Sequence, residues 1–357
     1  MIAELSVSNY RSLRSLVLPL GSLNVVVGPN GCGKSNLYRS MYLLHAAADG
    51  RFARTLADEG GMPSVLWAGS RSKGPVRLRL GATLASGLSF ELECGLAEPN
   101  ETPTSFLLDP VIKSETVTFR EGRMKVVLLE RGKSNAMLRD CDGARVSFTQ
   151  TLTRSESVLT RISEPHRFPQ LSAVREELRR WRFYHGFRTD EHAPLRQPQV
   201  GVFTPVLSHD GRDLAAALQT IQEIGDSERL YRAVRQGPDG TVLEIDSSDS
   251  RFRVLLNVPG IRRPLEAWEF SDGMLRYLCL LTALLSPRPP AVLALNEPEA
   301  SLHPDLLPPL AAQIVDAAGH SQVWVTTHSP LLATEIERLS GVAPIELGKV
   351  DGETQLR

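Results

Sequence analysis

Gly28-Pro29-Asn30-Gly31-Cys32-Gly33-Lys34-Ser35 is the stretch on which the reading of this chain turns. It follows Leu23–Val27 (LNVVV), a continuous apolar run suited to a strand buried on both faces. It precedes residues 36–48 (NLYRSMYLLHAAA), where Leu37, Met41, Leu44 and Ala48 recur at helical spacing. The pattern Gly, four residues, Gly-Lys-Ser, placed between a strand and a helix, is the arrangement that cradles phosphates. Gly28, Gly31 and Gly33 let backbone N–H groups wrap closely around an anion, and the following helix adds the positive end of its dipole. Lys34 neutralises β- and γ-phosphate charge, and the Ser35 hydroxyl is a ligand for Mg2+. Asn30, Cys32 and Asn36 complete the set of loop residues expected at the nucleotide, Cys32 as a small filler rather than a redox group.

The remainder of the composition bounds the setting. The 357 residues carry 40 Lys+Arg against 41 Asp+Glu, 42% apolar and 23% charged side chains. That is a globular balance with a sizeable core, neither disordered nor globally basic. At roughly 150 residues per domain the length suggests two to three domains. Cys32, Cys94, Cys141 and Cys279 are too scattered for a local zinc motif and suit a reducing compartment. The N-terminus lacks the apolar core of a signal peptide, and the apolar stretch around Leu275–Leu285 is too short to span a bilayer. The expectation is a cytoplasmic protein with no membrane partner.

Along the chain, Ile2–Ser8 alternates like a half-buried strand, and Arg77–Phe148 reads as a run of antiparallel strands separated by glycine turns. Leu171–Trp181 and Asp213–Ile224 have helical spacing, and the Pro-rich segment between them reads as an ordered loop. Thr241–Asp246 and Phe252–Val258 suit a hairpin, Met274–Leu285 a helix stopped by SPRPP, and a further helix lies near Asp305–Ala318. AVLAL and QVWVTT are two more candidates for buried strands. No 20–50-residue repeat and no sustained heptads occur.

Three further motifs follow the phosphate loop far along the chain. Ser271-Asp272-Gly273 opens the Met274 helix and offers a hydroxyl, backbone N–H groups and a helix dipole, all anion-binding parts, although each is also an ordinary N-cap. AVLAL ends in Asn296-Glu297-Pro298-Glu299, a carboxylate at a strand end. QVWVT ends in Thr327-His328-Ser329.

In this order the motifs resemble the ABC-type ATPase heads of the SMC/RecF/OLD group. They are most similar to stand-alone AAA-family ATPases with an NEPE-type motif followed by Ser301-Leu302-His303-Pro304, and the entry pattern Val7-Ser8-Asn9-Tyr10-Arg11-Ser12 is matched as well. The resemblance covers about 1–48 and 265–332 and implies an α/β P-loop fold: a mixed β-sheet flanked by helices, with an antiparallel β subdomain and a helical lobe. It also implies one split nucleotide-binding core from 1–70 and 255–357, an antiparallel subdomain from 71–165, and a helical and loop insertion from 166–254. ATP and Mg2+ are the implied cofactors.

The resemblance also implies roles. Lys34 and Ser35 hold phosphates and Mg2+, and Ser271, Asp272 and Gly273 contact the γ-phosphate bound by an opposite subunit. Glu297 acts as general base, His328 reaches the γ-phosphate, and Arg11 sits near the adenine or phosphates. The family's loop glutamine has two candidates here, Gln197 and Gln199. Asn296 stands where aspartate usually supports Mg2+, keeping an oxygen but losing the charge, so somewhat weaker Mg2+ binding is expected; a tolerated family variant is the preferred reading, with an engineered substitution and a slow ATPase as alternatives. A signature acting in trans implies an ATP-driven homodimer. The function expected is a switch acting in DNA repair or phage defence; a regulatory subunit for a separate effector protein without direct DNA binding and a slow or non-hydrolysing head are the alternatives. No Toprim domain is expected after His328, and Ser-Asp-Gly-Met departs from a transporter signature.

Overall fold

The computed structural model describes residues 1–69, 74–97, 105–132, 135–237, 240–248 and 250–357. The expected boundary at 70/71 falls outside them. The chain divides into two compact units: Met1–Gly21, Gly28–Trp181 and Glu346–Arg357 form one, and Ser22–Val27 with Arg182–Ile345 form the other.

The first unit is built on an eight-stranded antiparallel sheet. Its order in space is Leu13–Pro19, Ile2–Tyr10, Leu78–Leu84, Leu88–Gly95, Val111–Glu121, Met124–Arg131, Ala136–Arg139 and Arg145–Ser147. The strand beginning at Ile2 pairs with Leu78–Leu84, Leu5 lying opposite Ala82 and Val7 opposite Leu80. The antiparallel region read from Arg77 onward therefore gains two strands from the first 19 residues. Alternation makes one face apolar: Leu5, Val7, Leu80, Ala82, Phe90 and Leu92 are buried. The helices Lys34–Ala48 and Pro169–Arg179 lie against this sheet and against each other. A short antiparallel pair, Ile345–Val350 with Glu353–Leu356, matches Leu347 to Leu356 and Val350 to Glu353.

The second unit holds a parallel sheet in the order Arg182–Tyr184, Val292–Asn296, Gln322–Thr326 and Leu23–Val27. Every residue of Val292–Asn296 and of Gln322–Thr326 is buried, as the continuous apolar runs require. The edge strand Arg182–Tyr184 is only three residues long, and this is why its surroundings read as loop. Helices Asp272–Leu284, Leu307–Ala317 and Pro330–Ser340 bury Leu278, Leu310, Ile314, Leu332 and Ile336 in one core with Leu293, Val323 and Val325. Helices Leu214–Ile224 and Ser227–Arg235 extend that core, and Val242–Asp246 and Arg251–Asn257 form the expected hairpin.

Register places the strand ends in one row. Asn296 lies opposite Thr326, and Thr326 opposite Val26. Main-chain bonds from Glu297 N to Thr326 O (2.7 Å) and from Thr327 N to Val26 O (3.1 Å) continue the row by one residue. The polar residues after each strand therefore emerge along one carboxyl edge, the edge at which open α/β sheets bind ligands.

Leu278 is fully buried in the second core. Leu278→Ala is expected to destabilise that unit by about 2–5 kcal/mol through lost burial and an unfilled cavity, read as a lowered urea midpoint.

Candidate active site

In the first unit the phosphate loop adopts the backbone its glycines foreshadow. Gly28, Gly31 and Gly33 have φ of 148°, 74° and 115°. Gly33 precedes the helix Lys34–Ala48 in a left-handed conformation, with no side chain capping the helix N-terminus. The Lys34 ammonium, buried beneath the loop, donates to the Gly28 carbonyl (2.6 Å) and the Pro29 carbonyl (3.1 Å). Ser35 is half-buried, Asn30 and Gly31 are exposed, and Cys32 is buried.

The loop is braced by the C-terminal strand. Thr354 Oγ1 donates to the Cys32 carbonyl (2.6 Å) and lies 2.7 Å from Ser12 Oγ, which accepts from Asn36 Nδ2 (2.8 Å). Clearance is minimal: a Cβ on Gly28 would stand 2.4 Å from the Leu347 carbonyl oxygen, and one on Gly33 2.1 Å from Thr354 Oγ1. These two glycines are required by close approach as well as by φ. Asn36 is thereby a structural partner of Ser12, and nothing in the local sequence signalled Thr354. Arg11, at φ 49°, is committed to Glu59: its Nη2 donates to Glu59 Oε2 (2.7 Å), which the Tyr10 hydroxyl also reaches (2.7 Å). Burial and the Glu59 charge push the Tyr10 phenol well above its usual range, so it stays a donor.

In the second unit the carboxyl edge carries the remaining candidates. Glu297 has φ 51°, a left-handed backbone rare outside glycine. Arg276 of the Asp272–Leu284 helix steadies it by donating from Nη2 to the Glu297 carbonyl (3.1 Å). Burial holds the Arg276 pKa below its ordinary value, with the Glu299 and Glu297 charges opposing that shift. The Glu297 carboxylate meets His328, Nε2 to Oε1 being 3.1 Å. Asn296 is 3% exposed; its Nδ2 lies 2.9 Å from His185 Nδ1, and its Oδ1 is buried without a hydrogen-bond partner.

Ser271 N-caps its helix by accepting from Met274 N (3.2 Å). Asp272 Oδ1 accepts from Arg196 Nη2 (2.7 Å), and the same guanidinium donates from Nη1 to the Phe270 carbonyl (2.7 Å). A Cβ on Gly273 would stand 2.5 Å from the Ser301 carbonyl oxygen, so the Ser-Asp-Gly turn packs directly on the turn that follows Glu297. Ser301 itself has φ 64°.

Gln199, a candidate for the loop glutamine, is structural: its Oε1 accepts from Ala215 N (2.8 Å) at the start of a helix. Gln197 is exposed. The residue that follows the strand beside Val292–Asn296 is His185, which the sequence reading passed over, as it did Arg276 and the contact of Arg196 with Asp272. No local pattern marks any of the three for these contacts.

Among the described residues no group of three or more His, Cys, Asp or Glu side chains could hold a metal ion. Mg2+ does not need such a cage, since it keeps several waters and binds through phosphates and one or two protein oxygens. The Ser35 hydroxyl in the first unit is an oxygen of that kind and so, taken by itself, is the orphaned Asn296 Oδ1 in the second.

Residues 152–334 match the family described as "AAA domain, putative AbiEii toxin, Type IV TA system". The chain belongs to that family. Residues 1–68 match a second family, described as AAA ATPase domain. A 44-residue segment is 46% identical to the OLD nuclease of Thermus scotoductus, covering 12% of this chain and 8% of the nuclease. Among solved structures, an Smc head bound to the C-terminal winged-helix domain of ScpA aligns over 100% of this chain and 96% of its own, with TM-score 0.53 and 14% identity. An Smc head with an extended coiled coil, bound to the C-terminal domain of ScpA derived from Pyrococcus furiosus, aligns over 100% and 95%, with TM-score 0.53 and 13% identity. The fold is similar to that of SMC heads and is the P-loop fold expected, and the nuclease segment agrees with the resemblance to the OLD group. No helix among the described residues is long and apolar enough to cross a membrane.

Thr354→Val removes the hydroxyl that serves the Cys32 carbonyl and Ser12. It is expected to cost about 1–2 kcal/mol and to weaken binding of a fluorescent ATP analogue, with Thr354→Ser restoring both.

Proposed function

We propose that the protein is a Mg2+-dependent ATP hydrolase that works as a nucleotide-driven switch. The observation that carries the reading is the 3.1 Å contact between Glu297 Oε1 and His328 Nε2 at the carboxyl edge of the parallel sheet. A carboxylate held by a strained backbone and paired with one imidazole nitrogen is equipped to orient water and take its proton. The two AAA family matches, over residues 1–68 and 152–334, support a single nucleotide served by both groups of residues.

In this mechanism the loop N–H groups and Lys34 hold the β- and γ-phosphates. Bound Mg2+ would supply charge neutralisation on those phosphates, and the Ser35 hydroxyl and Asn296 Oδ1 are the oxygens that would hold it. His328 transfers its Nε2 proton contact from Glu297 to a γ-phosphate oxygen, and this frees Glu297 Oε1 to accept from the attacking water. Ser271, Asp272 and Gly273 act on the nucleotide of a second copy, so two chains close head to tail over two ATP molecules and hydrolysis releases them. The OLD nuclease match and the toxin named in the family's description support a role in defence, with DNA or a separate effector protein as the responding partner.

Asn296 supports a second reading, a slow ATPase valued for its bound state. Its amide donates to His185 Nδ1, whereas an aspartate there would need His185 to carry its proton on Nδ1. Asn296→Asp is expected to lower the Mg2+ concentration needed for half-maximal turnover; unchanged Mg2+ dependence would remove Asn296 from the ion.

Lys34→Ala is expected to abolish ATP binding. Glu297→Gln is expected to bind ATP, lose hydrolysis by about 10²-fold or more, and double in mass by light scattering under saturating Mg-ATP. A monomer under those conditions would exclude the head-to-tail switch. Turnover measured with double-stranded, single-stranded and no DNA separates a DNA-acting switch from an effector-bound one.

A further inference from the structure

We infer that Glu299 is the positioning residue for His328, a deepening that rests on the functional reading above. Its Oε1 accepts from three consecutive residues: the Thr327 hydroxyl (2.7 Å), His328 N (2.7 Å) and Ser329 N (3.1 Å). Thr327 is fully buried, and its Oγ1 also accepts from Ser329 N (2.9 Å), which closes the turn on itself. Ser329 then caps the helix Pro330–Ser340 by accepting from Leu332 N (3.2 Å). One carboxylate oxygen thus sets the backbone on which the histidine stands.

The other end of the anchor is equally fixed. Glu299 lies two residues beyond Glu297 in a turn closed by Ala300 N to Glu297 O (3.1 Å) and Leu302 N to Glu299 O (3.0 Å). That turn presents Glu297 to His328 by its side chain and grips the backbone of His328 by its third residue. The two reacting groups are far apart in sequence but share one rigid support, and their 3.1 Å separation follows from it. Arg276 balances the charge, since it feels both carboxylates while it binds the Glu297 carbonyl. Glu299 Oε2 is buried and makes no hydrogen bond, so the anchor works through Oε1 alone. An amide oxygen in the same place could accept the same three donors.

The experiment compares Glu299→Ala, Glu299→Gln, Thr327→Val, His328→Ala and the double variant Glu299→Ala/His328→Ala with the parent full-length chain. Steady-state kcat is measured at saturating Mg-ATP, and affinity with a fluorescent ATP analogue. Misplacement of a reacting group by about 1 Å costs on the order of 10²-fold in rate. Glu299→Ala should therefore lower kcat to the level of His328→Ala with ATP affinity unchanged within about twofold. The double variant should be no slower than either single, as for groups acting as one unit. Glu299→Gln should restore most of the rate, and Thr327→Val, which removes one donor from a turn of unchanged shape, should fall between. An active Glu299→Ala, additive losses, or a Glu299→Gln as slow as Glu299→Ala would overturn the proposal. If Glu299→Ala does not fold, Thr327→Val decides: parental kcat overturns the proposal. Glu297→Gln run alongside keeps the two readings apart. If it retains the parental rate, hydrolysis by Glu297 fails whatever Glu299 does; if it is inactive while Glu299→Ala is active, only the positioning role fails.

Discussion

The parallel register of fully buried strands is the constraint on which the second unit depends. Val292–Asn296 and Gln322–Thr326 have no solvent face, so neither strand can carry a charged side chain along its length. Whatever chemistry they bear is displaced to their ends. Parallel pairing puts those ends on one edge, with Asn296, Thr326 and Val26 in a row. Glu297, Glu299 and His328 stand just past that row.

Once the ends are fixed, small features acquire large consequences. Glu297 reaches its position at a positive φ that costs of order 1–2 kcal/mol for an L-residue. The turn holds because Thr326 accepts its N–H and Arg276 binds its carbonyl. Arg276 belongs to the helix that begins with Ser271-Asp272-Gly273, and Gly273 packs on Ser301 of the same turn. The Ser-Asp-Gly turn and Glu297 are therefore joined by direct contacts in one unit.

The first unit solves a different problem. A loop that must expose its N–H groups to phosphate cannot satisfy them itself, so it has to be held from behind. Here the holding is done by Thr354 and Ser12, through the Cys32 carbonyl and Asn36, with the Leu347 carbonyl oxygen too close to Gly28 for any side chain. Lys34 is kept in place by the carbonyls of Gly28 and Pro29.

Much of this was legible in the residues. The glycine spacing before Lys34, the apolar runs ending in Asn296-Glu297 and Thr327-His328, and the alternation from Arg77 onward are local signals, because backbone φ, burial on two faces and burial on one face each leave a short-range pattern. The sequence by itself determined the phosphate loop, the family resemblance and the buried strands. Only the tertiary structure decided that the first two strands join the antiparallel sheet, that Thr354 braces a loop 322 residues earlier, that His185 faces Asn296, and that Glu299 grips the backbone of His328. Those contacts pair single polar atoms across long separations, and a lone hydroxyl, imidazole or carboxylate carries no periodicity from which its partner can be read.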